Sequence, residues 1–400
     1  MTRLTQITKE ALLKGINKIP IHIIKKKIDE GELTLEECIE YELEESKVEE
    51  IRTLKIEKEI KEIKDQEDQA FYDQIKNDEK PIDEIQNALM TGKVTEEGLL
   101  NHTTINKELI KKIREYSRTP HSPKNNSEPL GPGTDIFFFG RSGSGKTCVL
   151  ASVFNYAEEQ GLFIDNPTSI KGINYKNLLI NELNNGVLPY ATPATKDNVT
   201  YISTTLIEQD AEGNNTGKVS PLNFVEMSGE FFQKAAQNPK DTKDTIDAHG
   251  YLSGPNKKLL FFIVDYQMYS EGKNRAAQSQ DFQLVLNNLD KYKKSLKNTL
   301  SIYIIVTKAD KFPEDVIDKD KFANEFFRKD FKSVYTNLKS KRDKHGFELV
   351  SLPFSIGSFM FDNSYLHGIN QEWPDKLVKS IGKHSSFKKK NRWGIFSSTE

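Results

Sequence analysis

Eight residues, Gly140-Arg-Ser-Gly-Ser-Gly-Lys-Thr147, carry the strongest chemical pattern in the chain. They fit G-x-x-x-x-G-K-[ST], follow the apolar run Asp135-Ile-Phe-Phe-Phe139 and precede an amphipathic stretch, the context the pattern requires. The glycines let the backbone close around phosphate oxygens. Its N–H groups and the N-terminus of the following helix supply positive potential. Gly140, Ser142, Gly143, Ser144, Gly145 and Cys148 are the expected phosphate cradle. Lys146 is expected to reach the terminal phosphates, and the Thr147 hydroxyl to ligate Mg2+.

Three later apolar runs end in polar residues. Ser301-Ile-Tyr-Ile-Ile-Val306 leads into Thr307-Lys-Ala-Asp310, Leu222-Asn-Phe-Val225 into Glu226-Met-Ser-Gly229-Glu230, and Leu259 to Val264 into Asp265. The first resembles the guanine-specificity motif [NT]-K-x-D of the Ras-like GTPases, the translation-factor-related class of P-loop proteins. That resemblance implies bound GTP or GDP with Mg2+. It implies that Asp310 accepts two hydrogen bonds from guanine N1 and N2, and that the Lys308 stem packs over the base beside Thr307. Adenine lacks the paired donor edge. Glu226-Met-Ser-Gly229-Glu230 stands where the family carries D-x-x-G-Q. Gly229 N–H would then bind the γ-phosphate, and Glu226 would hold a magnesium-bound water from one methylene further away. Glu230 replaces the glutamine that positions the attacking water. A carboxylate there faces a phosphate that is already negative, so repulsion slows attack unless a cation intervenes.

Two shorter matches complete the resemblance, which runs from Thr134 to Ser380. The loop Tyr190-Ala-Thr-Pro-Ala-Thr-Lys-Asp197 lies where a threonine closes over magnesium, with Thr195 preferred to Thr192. Phe354-Ser-Ile-Gly357 is similar to the [ST]-A loop, which implies guanine contacts from the Ser355 and Ile356 backbone. More narrowly, the text is similar to GTPase domains of bacterial multi-domain defence and signalling proteins. A GTP-binding, Mg-dependent switch with slow hydrolysis is the function implied. Two alternatives stay open. One is a scaffold that keeps its nucleotide without turnover, because Glu226 and Glu230 both depart from the hydrolytic pattern. The other is an ATPase in which Asp265, at the end of an apolar strand, holds magnesium and Thr307–Asp310 is incidental. Tyr266 stands where such an ATPase usually has a glutamate.

Beyond the linker, apolar runs alternate with amphipathic stretches. The runs are Ile136–Phe139, Val199–Ile207, Val219–Glu226, Leu259–Asp265, Ser301–Val306 and Phe347–Ile356. Helices are expected over Lys146–Gln160, Tyr175–Asn185, Ala276–Leu296, Lys321–Lys344 and Glu372–Ser380. The alternation predicts an α/β fold, a P-loop NTPase with a mostly parallel sheet and helices on both faces. The two strands flanking EQDAEGNNTGK read as a hairpin. An all-α module precedes it. Between Glu36 and Asn77 one or two long helices are expected, with apolar residues on helical spacing but no steady heptad. Ile24 to Thr34 and Ile85 to Thr95 match position for position, each reading as a glycine-ended helix followed by a threonine-capped one, with Glu37 completing a capping box after Thr34. Convergence on this common grammar and an internal duplication both account for the match.

The expected organisation is a helical interaction module over 1–118, a linker over 119–134 with proline at 120, 123, 129 and 132, a GTPase domain over 135–384, and a basic-aromatic tail over 385–400. Residues 1–118 sum to about −6 and 119–400 to about +4, consistent with two modules and giving no sign of nucleic acid. A protein partner is expected through the helical module, and self-association stays open. The tail, with Trp393 and Phe396, reads as solvated, with membrane contact the lesser alternative. Cys38 and Cys148 lie far apart, no metal-ligand spacing occurs and no apolar run is long enough to span a bilayer, so a reduced cytoplasm is the expectation.

Overall fold

The computed structural model describes residues 12–117, 131–189, 199–210, 212–227, 252, 254–272, 275–291, 296–385 and 388–389. The chain divides into two compact units, Met1–Lys80 with Glu84–Ile110, and Pro81–Asp83 with Lys111–Glu400. Six helices run through the N-terminal part: α1 Ile21–Asp29, α2 Leu35–Glu40, α3 Glu45–Lys76, α4 Ile82–Met90, α5 Glu96–His102 and α6 Lys107–Glu115.

The two look-alike segments fold alike. Gly31 and Gly92 both sit at φ 72°, and the chain returns through Leu33 N–H to Lys27 O and Val94 N–H to Ala88 O. Leu33 and Val94 then bury their side chains. Thr34 caps α2 in a complete capping box with Glu37, and Thr95 caps α5 by accepting from Gly98 N–H. Each cap contributes about 1 kcal/mol.

The second unit is an α/β layer structure whose sheet runs β2-β3-β4-β1-β5-β6-β7. The strands are β1 Thr134–Phe139, β2 Phe163–Asp165, β3 Val199–Gln209, β4 Asn215–Met227, β5 Lys257–Asp265, β6 Thr299–Thr307 and β7 Glu348–Phe354. From β4 to β7 all neighbours are parallel, and β2–β3–β4 is antiparallel. Strands covered on both faces need continuous apolar runs, which is what β1, β5 and β6 supply. Alternate residues enter opposite cores. Phe137, Phe139, Leu260, Phe262, Ile302 and Ile304 face one, and Ile136, Phe138, Phe261, Ile263, Tyr303 and Ile305 the other. Across the second, Phe138, Phe261 and Tyr303 stack at centroid distances of 5.1 and 4.4 Å.

The helices covering these faces are α7 Lys146–Glu159, α8 Ile170–Asn184, α9 Tyr266–Ser270, α10 Arg275–Lys291, α11 Lys319–Asp330, α12 Lys332–His345 and α13 Glu372–His384. Two expectations need correction. Lys321–Lys344 is two helices that meet at Phe331, whose ring is buried in the core. No glycine or proline marks that break, so the burial of one aromatic ring overrides local helix preference. The run from Phe347 to Ile356 stops at Phe354, and a small hairpin follows, β8 Gly357–Met360 with β9 Tyr365–Ile369. Within the expected tail, Lys388–Lys389 pair with β4 as a short strand β10; Trp393 and Phe396 lie outside the described residues. No helix among those residues is long and apolar enough to cross a membrane.

Candidate functional site

Parallel strands in register bring the carboxyl ends of β1, β5 and β6 to one edge, where ligands of open α/β sheets bind. The loop from Gly140 to Gly145 leaves β1 there and becomes α7. A Cβ on Gly140 would lie 2.8 Å from Ser144 Oγ and 2.9 Å from the Ile263 carbonyl oxygen, so only glycine fits. Gly145, at φ 89°, is the left-handed N-cap of α7. A Cβ there would meet the Thr307 side chain at 3.5 Å, and the positive φ is one that glycine adopts without strain. Lys146 Nζ donates to the carbonyls of Gly140 at 2.9 Å and Arg141 at 2.8 Å. Burial pushes the Lys146 amine down to about 8, with the Glu226 charge opposing. Ser144 Oγ is buried without a hydrogen-bond partner, a donor that a phosphate oxygen would satisfy.

Glu226, near the end of β4, is buried and reaches the same place. One carboxylate oxygen accepts from the Thr147 hydroxyl, and the other accepts from Tyr175 OH at 2.7 Å. Burial, and then the Glu226 charge, hold the Tyr175 phenol well above its ordinary range, so it keeps its proton and donates. Thr147 and Glu226 fit a magnesium ion: the hydroxyl can give a lone pair to a cation while its proton stays with the carboxylate. Asp265 is placed differently. It caps α9 through Met268 N–H at 2.9 Å, and its backbone exchanges two hydrogen bonds of 3.1 Å with Gln278. Its Oδ2 lies 2.9 Å from Lys308 Nζ, an ion pair whose angles are not those of a hydrogen bond.

Thr307 ends β6 and donates from its hydroxyl to the Ser144 carbonyl at 2.8 Å. Lys308 follows at φ 59°, and Asp310 accepts from Ser355 Oγ at 2.9 Å. A cavity of about 350 Å3 opens between these residues and the glycine loop. Gly143, Gly145 and Cys148 line one end, and Thr307, Lys308, Asp310 and Ile356 another. Leu188, Phe354 and Phe359 add apolar walls, and Asn363 a polar one. Sequence patterns therefore converge here from β1, β4, β6 and the turn after β7. Thr192, Thr195, Gly229 and Glu230 lie outside the described residues. Tyr175, Leu188, Phe359 and Asn363 were not expected. One general signal pointed towards Tyr175: a buried carboxylate such as Glu226 needs a donor for each oxygen.

A family model for Double-GTPase 2 domains matches residues 136–347. The chain belongs to the Double-GTPase 2 family. No curated protein matches it. Solved structures similar to this Double-GTPase 2 chain include a dimerization-deficient mutant of Toc33 from Arabidopsis thaliana, at 12% identity and a TM-score of 0.33 over 66% of this chain and 87% of that one. The SRb-GTP/SRX complex of the signal recognition particle receptor from Chaetomium thermophilum matches at 14% and 0.34, over 62% and 99%. Nucleolar GTP-binding protein 1 from Plasmodium falciparum matches at 11% and 0.30, over 64% and 89%.

Lys146 generates a pH prediction. Burial holds its amine down at about 8, and polyphosphate favours the charged form. Below that pH nucleotide meets an ammonium already charged; above it, binding must take up a proton. Affinity is expected to fall by up to about tenfold per pH unit above 8. Calorimetry at pH 8.5 in two buffers of different ionisation enthalpy should show proton uptake, and none would contradict this assignment.

Proposed function

We propose that this protein is a Mg-dependent GTP switch that hydrolyses GTP slowly unaided and passes its nucleotide state to the N-terminal helices. The observation that carries the reading is Asp310 and Lys308 lining the same cavity as Gly143 and Gly145 of the phosphate loop. A base at Asp310 and phosphates on the α7 N-terminus are then parts of one ligand. Gly140, Ser142, Gly143, Ser144, Gly145, Lys146, Thr147 and Cys148 would hold the phosphates. Thr307, Lys308, Asp310, Ser355 and Ile356 would hold guanine. Thr147, Glu226 and a switch threonine, Thr195 before Thr192, would serve Mg2+, which neutralises phosphate charge when bound. Gly229 and Glu230 would meet the γ-phosphate and the attacking water. An ATPase built on Asp265 has less support, because that carboxylate is engaged with Lys308 and the α9 cap while the Thr147 hydroxyl is on Glu226.

The domain roles follow from this reading: residues 1–118 as the partner-binding module, 119–134 as linker, 135–384 as the switch and 385–400 as a tail. A protein partner is the expected recipient.

Asp310→Asn removes the acceptor for guanine N1 and N2. GTP affinity should fall at least about 100-fold while xanthosine triphosphate gains; unchanged GTP affinity would remove the guanine assignment. A second variant tests the rate. With a carboxylate merely tolerated beside the γ-phosphate, Glu230→Gln should raise the unaided turnover or leave it as it is. A loss of tenfold or more, about 1.4 kcal/mol of transition-state stabilisation, would instead make Glu230 a working catalytic group.

A further inference from the structure

Helix α3 is 32 residues long, and its middle is uncovered. Val48 and Ile51 near its start are buried with the helices around α1 and α2, and Phe71, Tyr72 and Ile75 near its end are buried too. Between them Ile56, Ile60 and Ile63 stand 55%, 59% and 57% exposed. At about 100° per residue these three fall within one arc, roughly opposite the arc of Val48, Ile51 and Leu54. Lys58, on the packed side, meets Asp29 at 3.6 Å. The isoleucines are spaced four and then three, which is d-a-d of a heptad. Thr53 occupies the preceding a position, and Glu67, at the next a position, ends the seam.

We propose that this stripe is a dimer seam, seated on the same stripe of a second copy of this chain. The flanking charges select that occupant. In this register Arg52 and Glu59 are g positions, and Glu57 and Lys64 are e positions. A parallel pair joins each g to the e five residues on in its partner, which gives Arg52 with Glu57 and Glu59 with Lys64, each twice by symmetry. All four contacts are between opposite charges. Antiparallel seating pairs g with g and e with e, which sets Arg52 against Glu59 and Glu57 against Lys64, so the charges fit a second copy in either sense. Arg52 now faces Glu49 at 3.9 Å in an exposed pair, which exchanges readily. A seam of four layers is short, so the dimer forms reversibly with concentration.

Sedimentation of the full chain from about 1 to 100 µM tests this, the range in which interfaces of modest area associate. A monomer–dimer equilibrium is expected, shifted at least tenfold towards monomer by Ile56→Asp with Ile60→Asp, which alter exposed positions. Arg52→Glu should weaken the dimer in either sense; adding Glu57→Arg should restore a parallel pair, and adding Glu59→Arg an antiparallel one. Thr53→Cys reads the sense of the seam, through a disulfide-linked dimer that the wild-type chain, with Cys38 and Cys148, does not form. Parallel seating puts the two Thr53 residues side by side, whereas antiparallel seating separates them by roughly 20 Å. A monomer throughout, a dimer indifferent to the aspartates, or a monomer that expands with them because the stripe packs within its own chain would each overturn the proposal. Cross-linking through Thr53→Cys assigns the parallel sense and its absence the antiparallel one, and failure of both charge swaps to restore the dimer would overturn the proposal.

Discussion

One hydroxyl registers the two halves of the site. The Gly140–Gly145 loop leaves β1, Thr307 to Asp310 leave β6, and β5 lies between them. Thr307 Oγ1 spans that gap by donating to the Ser144 carbonyl inside the loop, and lies 3.1 Å from the Val264 carbonyl of β5. A single ligand can touch both ends only if this spacing is held. The apolar strands hold it from below, since β1, β5 and β6 are buried on both faces and cannot slip without turning phenylalanine and isoleucine rows into the wrong core.

Beside this frame stands a buried acid. Glu226 is longer than aspartate, and the structure uses both of its oxygens: one for Thr147 and one for Tyr175. An uncompensated carboxylate at this depth would cost several kcal/mol, so Tyr175 on α8 belongs to the site as much as to the core. Asp265 is managed in the same way, its charge met by Lys308 and its other oxygen by a helix N-terminus. Both carboxylates thus lie at the ends of strands next to β1, and they are held differently: one accepts from the Thr147 hydroxyl, the other pairs with Lys308.

What could be read from the sequence was whatever local backbone chemistry dictates. Gly140 and Gly145 mark a loop in which one position has no room for a side chain and the other takes a left-handed backbone, and continuous apolar runs made β1, β5 and β6 legible as strands. Thr34 and Thr95 announced their caps because a side-chain oxygen beside a helix start has one obvious use. What escaped was tertiary. Phe331 breaks a helix by sinking its ring into the core, and nothing within several residues of it marks the break. Leu188, Phe359 and Asn363 reach the pocket from a loop after α8 and from the β8–β9 hairpin, so their role appears only once the chain has folded back. The exposed row on α3 was visible as helical spacing, but which face was covered depended on α1 and α2.

The central claim is that one cavity recognises guanine and triphosphate together. Equilibrium titration of the purified chain with fluorescent GTP and fluorescent ATP in the presence of Mg2+ tests it most directly. The account predicts GTP binding at least about 100-fold tighter than ATP, the discrimination that a paired acceptor in a buried site provides. Equal affinity for the two, or tighter binding of ATP, would contradict it.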